Sequence, residues 1–148
     1  MLGIISIFYF AGCDSKRLYE ENKQIPKRVW NNKNLVHFTV DITDTISLHN
    51  VYINIRNAGD YAYSNLFMFL RTAYPGGKVS CDTVECILAD IGGRWLGKGS
   101  GDVWDNQILF KSGVRFTKTG IYTFSYEQAM RVEDISMITD VGLRIEKQ

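Results

Sequence analysis

From residue 36 onward, apolar and polar side chains alternate with a period of two, the spacing of a strand that buries one face. Val36, Phe38, Val40 and Ile42 alternate with His37, Thr39 and Asp41, and Val51, Ile53 and Ile55 with Tyr52, Asn54 and Arg56. The run Leu66-Phe67-Met68-Phe69-Leu70 is apolar throughout, which predicts a central strand apolar on both faces. Pro75-Gly76-Gly77 then signals a turn. Val79 to Ala89 reads as the returning strand, and Gln107 to Lys111 and Val114 to Phe116 as two short strands flanking Ser112-Gly113. Ile121 to Tyr126 places Tyr122, Phe124 and Tyr126 on one face, and Val141, Leu143 and Ile145 close the series. Gln128 to Ile138 is the segment left for a short helix or turn. About eight strands separated by turn signals predict an all-β fold, an antiparallel β-sandwich of the jelly-roll kind, as a single domain over residues 34–148. Strand–helix alternation is missing, which excludes a parallel or Rossmann-type sheet.

The 148 residues, 45% hydrophobic and 22% charged, suit one domain with an ordinary core. A formal net charge of +1 gives no overall field to draw in nucleic acid or an acidic membrane surface.

The first thirteen residues change the picture. Residues 1–12 carry no charged side chain, and Leu2 to Ala11 is almost wholly apolar. A bilayer-spanning helix needs about 20 such residues, so this run fits the apolar core of a secretory signal peptide instead. It ends in Phe10-Ala11-Gly12-Cys13, small residues before a cysteine, as in a bacterial lipobox. On that reading residues 1–12 are a lipoprotein signal peptide and Cys13 is the lipid attachment site, becoming the acylated N-terminus. Residues 13–33 are then a polar tether, and the location is the cell envelope, either periplasm-facing or at the cell surface. Phe10 replaces the customary Leu, and the basic residue expected ahead of the apolar run would lie upstream of Met1. The competing reading is a buried N-terminal strand that happens to end at a cysteine.

Other candidate chemistry is sparse. Cys81 and Cys86 are five apart, an odd spacing that points them to opposite faces of a regular strand. A bulge or turn near Asp82-Thr83 could bring them together in a disulfide, and otherwise they are two thiols. His37 and His49 have no ligand spacing and no Cys-x-x-Cys pair occurs, so no metal site is predicted. Gly92 to Gly99 approaches a phosphate-binding loop, but Gly99 stands where a Ser or Thr must follow Lys98, and no helix opens after it, so no nucleotide or other cofactor is expected. Carboxylates at Asp41, Asp44, Asp60, Asp82, Glu85, Asp90, Asp102 and Asp105 do not select a catalytic pair by spacing. Trp95 and Trp104, with Arg94 beside the first, flank the glycine-rich segment: either a partner-contact surface or a plug for the open end of the sandwich.

Several stretches together resemble one family. They are Ile53-Asn54-Ile55-Arg56-Asn57, Tyr63-Ser64-Asn65-Leu66-Phe67, Trp95 to Asp102, Tyr122 to Arg131, and Thr139 to Lys147, behind the cysteine of the lipobox. The chain resembles the gliding motility lipoprotein GldH family of the Bacteroidota from Cys13 to its end. The resemblance implies a membrane-anchored envelope lipoprotein of the gliding machinery, whose partners include envelope proteins linked to type IX secretion. It implies no enzymatic activity, and only Cys13 takes a definite role from it, as the lipidated residue. The rival functions are a carbohydrate-binding β-sandwich module of the cell surface and a carboxylate-based glycoside hydrolase.

Overall fold

A computed structural model of the chain describes residues 13–148, so the signal-peptide expectation for residues 1–12 lies outside the described residues. The elements in order are β1 (Arg17–Gln24), a 3-10 turn (Pro26–Arg28), β2 (Val29–Asn31), β3 (Val36–Ile42), β4 (His49–Ala58), β5 (Asn65–Ala73), β6 (Val79–Ile87), β7 (Lys98–Ser100), β8 (Val103–Val114), β9 (Gly120–Gln128), β10 (Asp134–Ser136) and β11 (Ile138–Lys147). One sheet runs β1-β11-β4-β8-β7 and the other β3-β9-β5-β6, with β10 and β2 forming a small ribbon. Every pairing is antiparallel. Leaving aside the three-residue strands, β1-β11-β4-β8 faces β3-β9-β5-β6, the interleaved order of a jelly roll.

The period-two pattern is what fills the space between the sheets. Val36, Phe38, Val40 and Ile42 of β3 are all buried, as are Val51, Ile53 and Ile55 of β4 and Tyr122, Phe124 and Tyr126 of β9. Val141, Leu143 and Ile145 of β11 lie beside β4 in the same sheet and with it meet the β3 and β9 side chains from across the core. The Tyr126 hydroxyl, buried with its ring, donates to the Gly142 carbonyl at 3.0 Å and so ties the two sheets through a satisfied polar contact.

Three local expectations are corrected, and a fourth, open between helix and turn, is decided for the turn. The stretch read as a polar tether is folded from Arg17 on: β1 pairs along β11 from Arg17↔Glu146 to Gln24↔Asp140, and Trp30 of β2 is fully buried. Its Leu18 and Tyr19 pack on the core while Glu20 and Asn22 face outward, an amphipathic edge strand whose polar residues outnumber the apolar ones. The Leu66–Leu70 run buries one face only. Leu66, Met68 and Leu70 are inside, Phe67 is 38% exposed and Phe69 half-buried, because nothing in the described chain covers the outer side of that sheet.

Ser112-Gly113 is no turn between two strands but a bulge inside the twelve-residue β8. Gly113 has a φ of 65°, and the Asn50 side-chain oxygen accepts from the Ser112 hydroxyl (3.1 Å) and the Gly113 amide (3.3 Å). Gln128 to Ile138 forms a turn and β10 instead of a helix. The buried Gln128 side chain donates to the carbonyls of Val132 (3.0 Å) and Glu133 (2.8 Å) and accepts from the Met130 amide (2.9 Å), supplying the partners a helical ladder would have supplied. Eight long strands are therefore present, but β1 was missing from the predicted set and β8 was divided in two.

Candidate functional site

Three regions of this sandwich carry unusual side chains. At the end where β4 stops, an aromatic stack crosses the opening. Tyr61, just beyond β4, is buried and its hydroxyl donates to the Asn65 carbonyl at 2.8 Å. Its ring centroid lies 5.7 Å from Tyr63 and 6.3 Å from Trp95, and Trp95 lies 6.0 Å from Trp104. Trp104 is wedged between backbones: a Cβ placed on Gly59 or Gly99 would stand 3.0 Å or 3.2 Å from its ring. Trp95 is partly buried against the core.

Arg94 points into solvent at the tip of a turn organised by Asp90, whose carboxylate accepts from the amides of Gly92 (3.0 Å) and Arg94 (2.9 Å). The Asp90–Arg94 turn, the Ala89–Trp95 bridge and β7 account for the glycine-rich stretch without any helix that could open a phosphate site. Beside the stack, Tyr63, Phe67, Met130 and Val132 line a cleft of 340 Å³. Leu96 (57% exposed), Ile87 and Ile91 extend this apolar surface into solvent. Trp95 and Trp104 thus come together, whereas Tyr61, Phe67, Met130 and Val132 were not joined to them by the sequence. Phe67 belongs to a strand that alternates normally, and the turn after β9 carries Met130 and Val132 to it through the β5–β9 register.

The second region is a polar groove of 360 Å³ on the outer face of the five-stranded sheet. Register places Asn22, Gly142, Asn54 and Gln107 in one row, with Asp140, Arg56, Asp105 and Lys98 in the next. Gly142 is required there. A Cβ would collide with the Asn22 side chain and lie 2.8 Å from the Glu21 carbonyl, so β1 approaches β11 this closely only over a glycine. The Asn54 amide nitrogen donates to Glu20 and to Asn22, both at 3.1 Å, while its buried side-chain oxygen has no partner. Arg56 sits between Asp105 (2.5 Å) and Asp140 (3.5 Å), in the space that a scissile bond between two working carboxylates would need.

The third region surrounds Cys13, which is exposed. Four residues later β1 has begun. Asp14 is gripped by Arg144 at 2.5 Å, and the same largely buried guanidinium reaches Glu146 (2.7 Å) and Glu20 (2.8 Å). The Arg144 guanidinium beside Asp14 holds that carboxyl below its ordinary range, and the Asp14 hydrogen bond in turn raises Arg144. The Lys147 amide donates to the Lys16 carbonyl at 2.8 Å and completes the clasp.

Cys81 and Cys86 both belong to β6, whose pairing with β5 runs unbroken from Val79 to Ile87. No bulge brings them together and both are free thiols, Cys81 exposed and Cys86 buried. Burial pushes the Cys86 thiol up to about 12. His37 is exposed and bonded to Ser125 at 2.7 Å, whereas His49 is buried beside Phe116, and the two share no site.

The fold and these surfaces define a class: a jelly-roll sandwich with an exposed cysteine at the foot of its first strand and an apolar, aromatic opposite end. A family model described as GldH lipoprotein matches residues 17–145, and the chain belongs to the GldH lipoprotein family. It is 41% identical to the "Gliding motility lipoprotein GldH homolog" of Christiangramia forsetii, over 97% of this chain and 92% of that protein. It is 31% identical to the "Gliding motility lipoprotein GldH" of Flavobacterium johnsoniae, over 100% of this chain and 95% of that protein. Membership places it among lipid-anchored envelope proteins that serve gliding motility. Among solved structures, that of the infectious bursal disease virus Gx strain matches 88% of this chain and 30% of that chain at 9% identity. Its TM-score is 0.34, at which the likeness carries no argument.

Proposed function

We propose that this chain is a non-enzymatic scaffold of the gliding apparatus and its linked type IX secretion machinery. In this reading lipid on Cys13 confines the domain to a membrane, and the aromatic end holds an envelope protein. The observation that carries it is the separation of the two features along one strand. Asn50, at the start of β4, pairs with Glu146 beside the Cys13 clasp, whereas Asn57, near its end, pairs with Trp104. Seven residue steps from Asn50 to Asn57 at roughly 3.3 Å each put about 23 Å between them, so the anchor leaves the aromatic surface free. Lipid confinement raises the effective concentration of the domain for partners in the same membrane. The apolar patch formed by Trp95, Leu96, Tyr63 and Phe67 suits a protein surface rather than a small solute.

The test is complementation of a deletion strain together with site-specific crosslinking from position 96. A Leu96→Asp, Trp95→Ala chain with unaltered Tm should lose both surface spreading and its crosslinked envelope partner. Full spreading with the patch destroyed would overturn the reading. A second reading, a carbohydrate-binding module, has the polar groove behind it, since the unpartnered Asn54 oxygen would accept a sugar hydroxyl. Titration with a panel of oligosaccharides distinguishes them: saturable binding abolished by Asn54→Ala would favour the glycan.

A further inference from the structure

We infer that the Cys13 end of the sandwich is a seat for an anionic phospholipid surface, so that the domain stands on its membrane with the aromatic end directed away. The inference deepens the anchoring reading and rests on lipid attachment at Cys13.

Strand register gathers this end from pieces far apart in sequence. The start of β1, the end of β11, the 43–48 loop into β4, the 74–78 turn and the 115–119 loop into β9 all meet there. They bring four exposed cations, Lys16, Lys78, Arg115 and Lys118, and none of these forms an ion pair among the described residues. The carboxylates nearby are mostly occupied. Asp44 accepts from the amides of Ile46 and Ser47, both at 2.9 Å, and pairs with Lys147 at 3.2 Å. Asp82 pairs with Lys111, and Asp14 and Glu146 are held by Arg144. Asp41 is the one carboxylate there without such a partner among the described residues. Between the cations the loop presents Ile46, 82% exposed, and Leu48, 41% exposed.

Free cations around an exposed aliphatic tip match the interface of a bilayer, with ammonium and guanidinium groups at the phosphates and the tip among the headgroups. The geometry of attachment makes the match consequential. Only residues 14–16 separate Cys13 from β1, and Asp14 is clamped, so acyl chains on Cys13 would bring this end within a Debye length of about 8–10 Å of the lipid. Several acyl chains on Cys13 suffice for anchoring by themselves, so the basic face would set how the domain is oriented on the membrane.

The experiment uses the mature acylated protein in vesicles of phosphatidylcholine alone or mixed equally with phosphatidylglycerol. Cys81→Ser removes the exposed thiol, and an environment-sensitive probe is attached at Ile46→Cys or Leu96→Cys. The probe at 46 should report headgroup contact in the mixed vesicles and lose it at high salt, while the probe at 96 stays in water throughout. Adding Lys78→Gln, Arg115→Gln and Lys118→Gln should lower the seated-to-unseated ratio about 100-fold, at roughly fivefold for each cation removed. Contact at 46 that ignores phosphatidylglycerol, salt and the triple substitution would overturn the seat, as would contact at 96 instead. Intact mass read on the same sample separates the two readings. A chain without acyl mass on Cys13 ends the anchor and the seat together, whereas acylated protein with the probe at 46 in water ends the seat alone.

Discussion

The two ends of this sandwich are built from the same strands and are held by different physics. At the aromatic end, where β4 finishes and β8 begins, Tyr61, Trp95 and Trp104 form a stack, and the fit depends on glycines at 59 and 99 that let the backbone meet a ring. At the Cys13 end the same sheet is closed by charge: Arg144 gathers Asp14, Glu20 and Glu146, and Lys147 holds Asp44. Stacked rings are indifferent to pH and salt, whereas ion pairs weaken with added salt and with protonation of their carboxylates. The difference teaches that one end of a single domain can respond to its surroundings while the other keeps its shape.

The comparison can be broken most forcefully at Trp104. Trp104→Ala should cost about 2–4 kcal/mol, read by chemical denaturation, because it empties the space between Gly59, Gly99 and Trp95. Hydrogen exchange at β1 should be unchanged until global unfolding, and an equal loss of protection at both ends would show that they are not separate. Gly142→Ala attacks the middle of the β1–β11 pairing that leads into the Cys13 end. Its Cβ meets Asn22 and the Glu21 carbonyl, so β1 should be pushed from β11 at about 1–3 kcal/mol, with exchange rising first along residues 17–24. A native-like exchange pattern in that variant would show that β1 bends without strain.

The smallest effect is a titration. Because the folded carboxyl of Asp14 lies below its ordinary value of 3.8, the clasp is complete above that pH and is lost as pH falls through the lowered value. Protection of the Arg17 and Lys147 amides should therefore drop only in strong acid, and Arg144→Gln should abolish that dependence. The aromatic end should show no change over the same range, and a parallel acid transition there would contradict the contrast.

Legibility of the fold followed burial. β3, β4, β9 and β11 could be read because each buries every second residue, and β6 could be read from its position after a strong turn. β1 escaped because its outer residues Glu20 and Asn22 are polar and its inner ones only partly apolar, which in isolation is indistinguishable from a solvated segment. β8 was divided because Ser112-Gly113 has turn composition, and a bulge uses the same left-handed glycine as a turn. At the candidate sites, Cys13 and the tryptophan pair announced themselves by residue type. Arg144, Gly142 and Asn54 did not, since nothing in their own strands says which neighbours they will meet across the sheet.

By itself the sequence determined the β architecture and the family, because alternation and local motifs are properties of short stretches. Only the tertiary structure decided that Lys16, Lys78, Arg115 and Lys118 share an end and that the aromatic stack lies about 23 Å along β4 from it. A net charge of +1 conceals that arrangement. Charge counts add over the whole chain, whereas fields and contacts depend on where strand register brings each group, and register is set by long-range pairing.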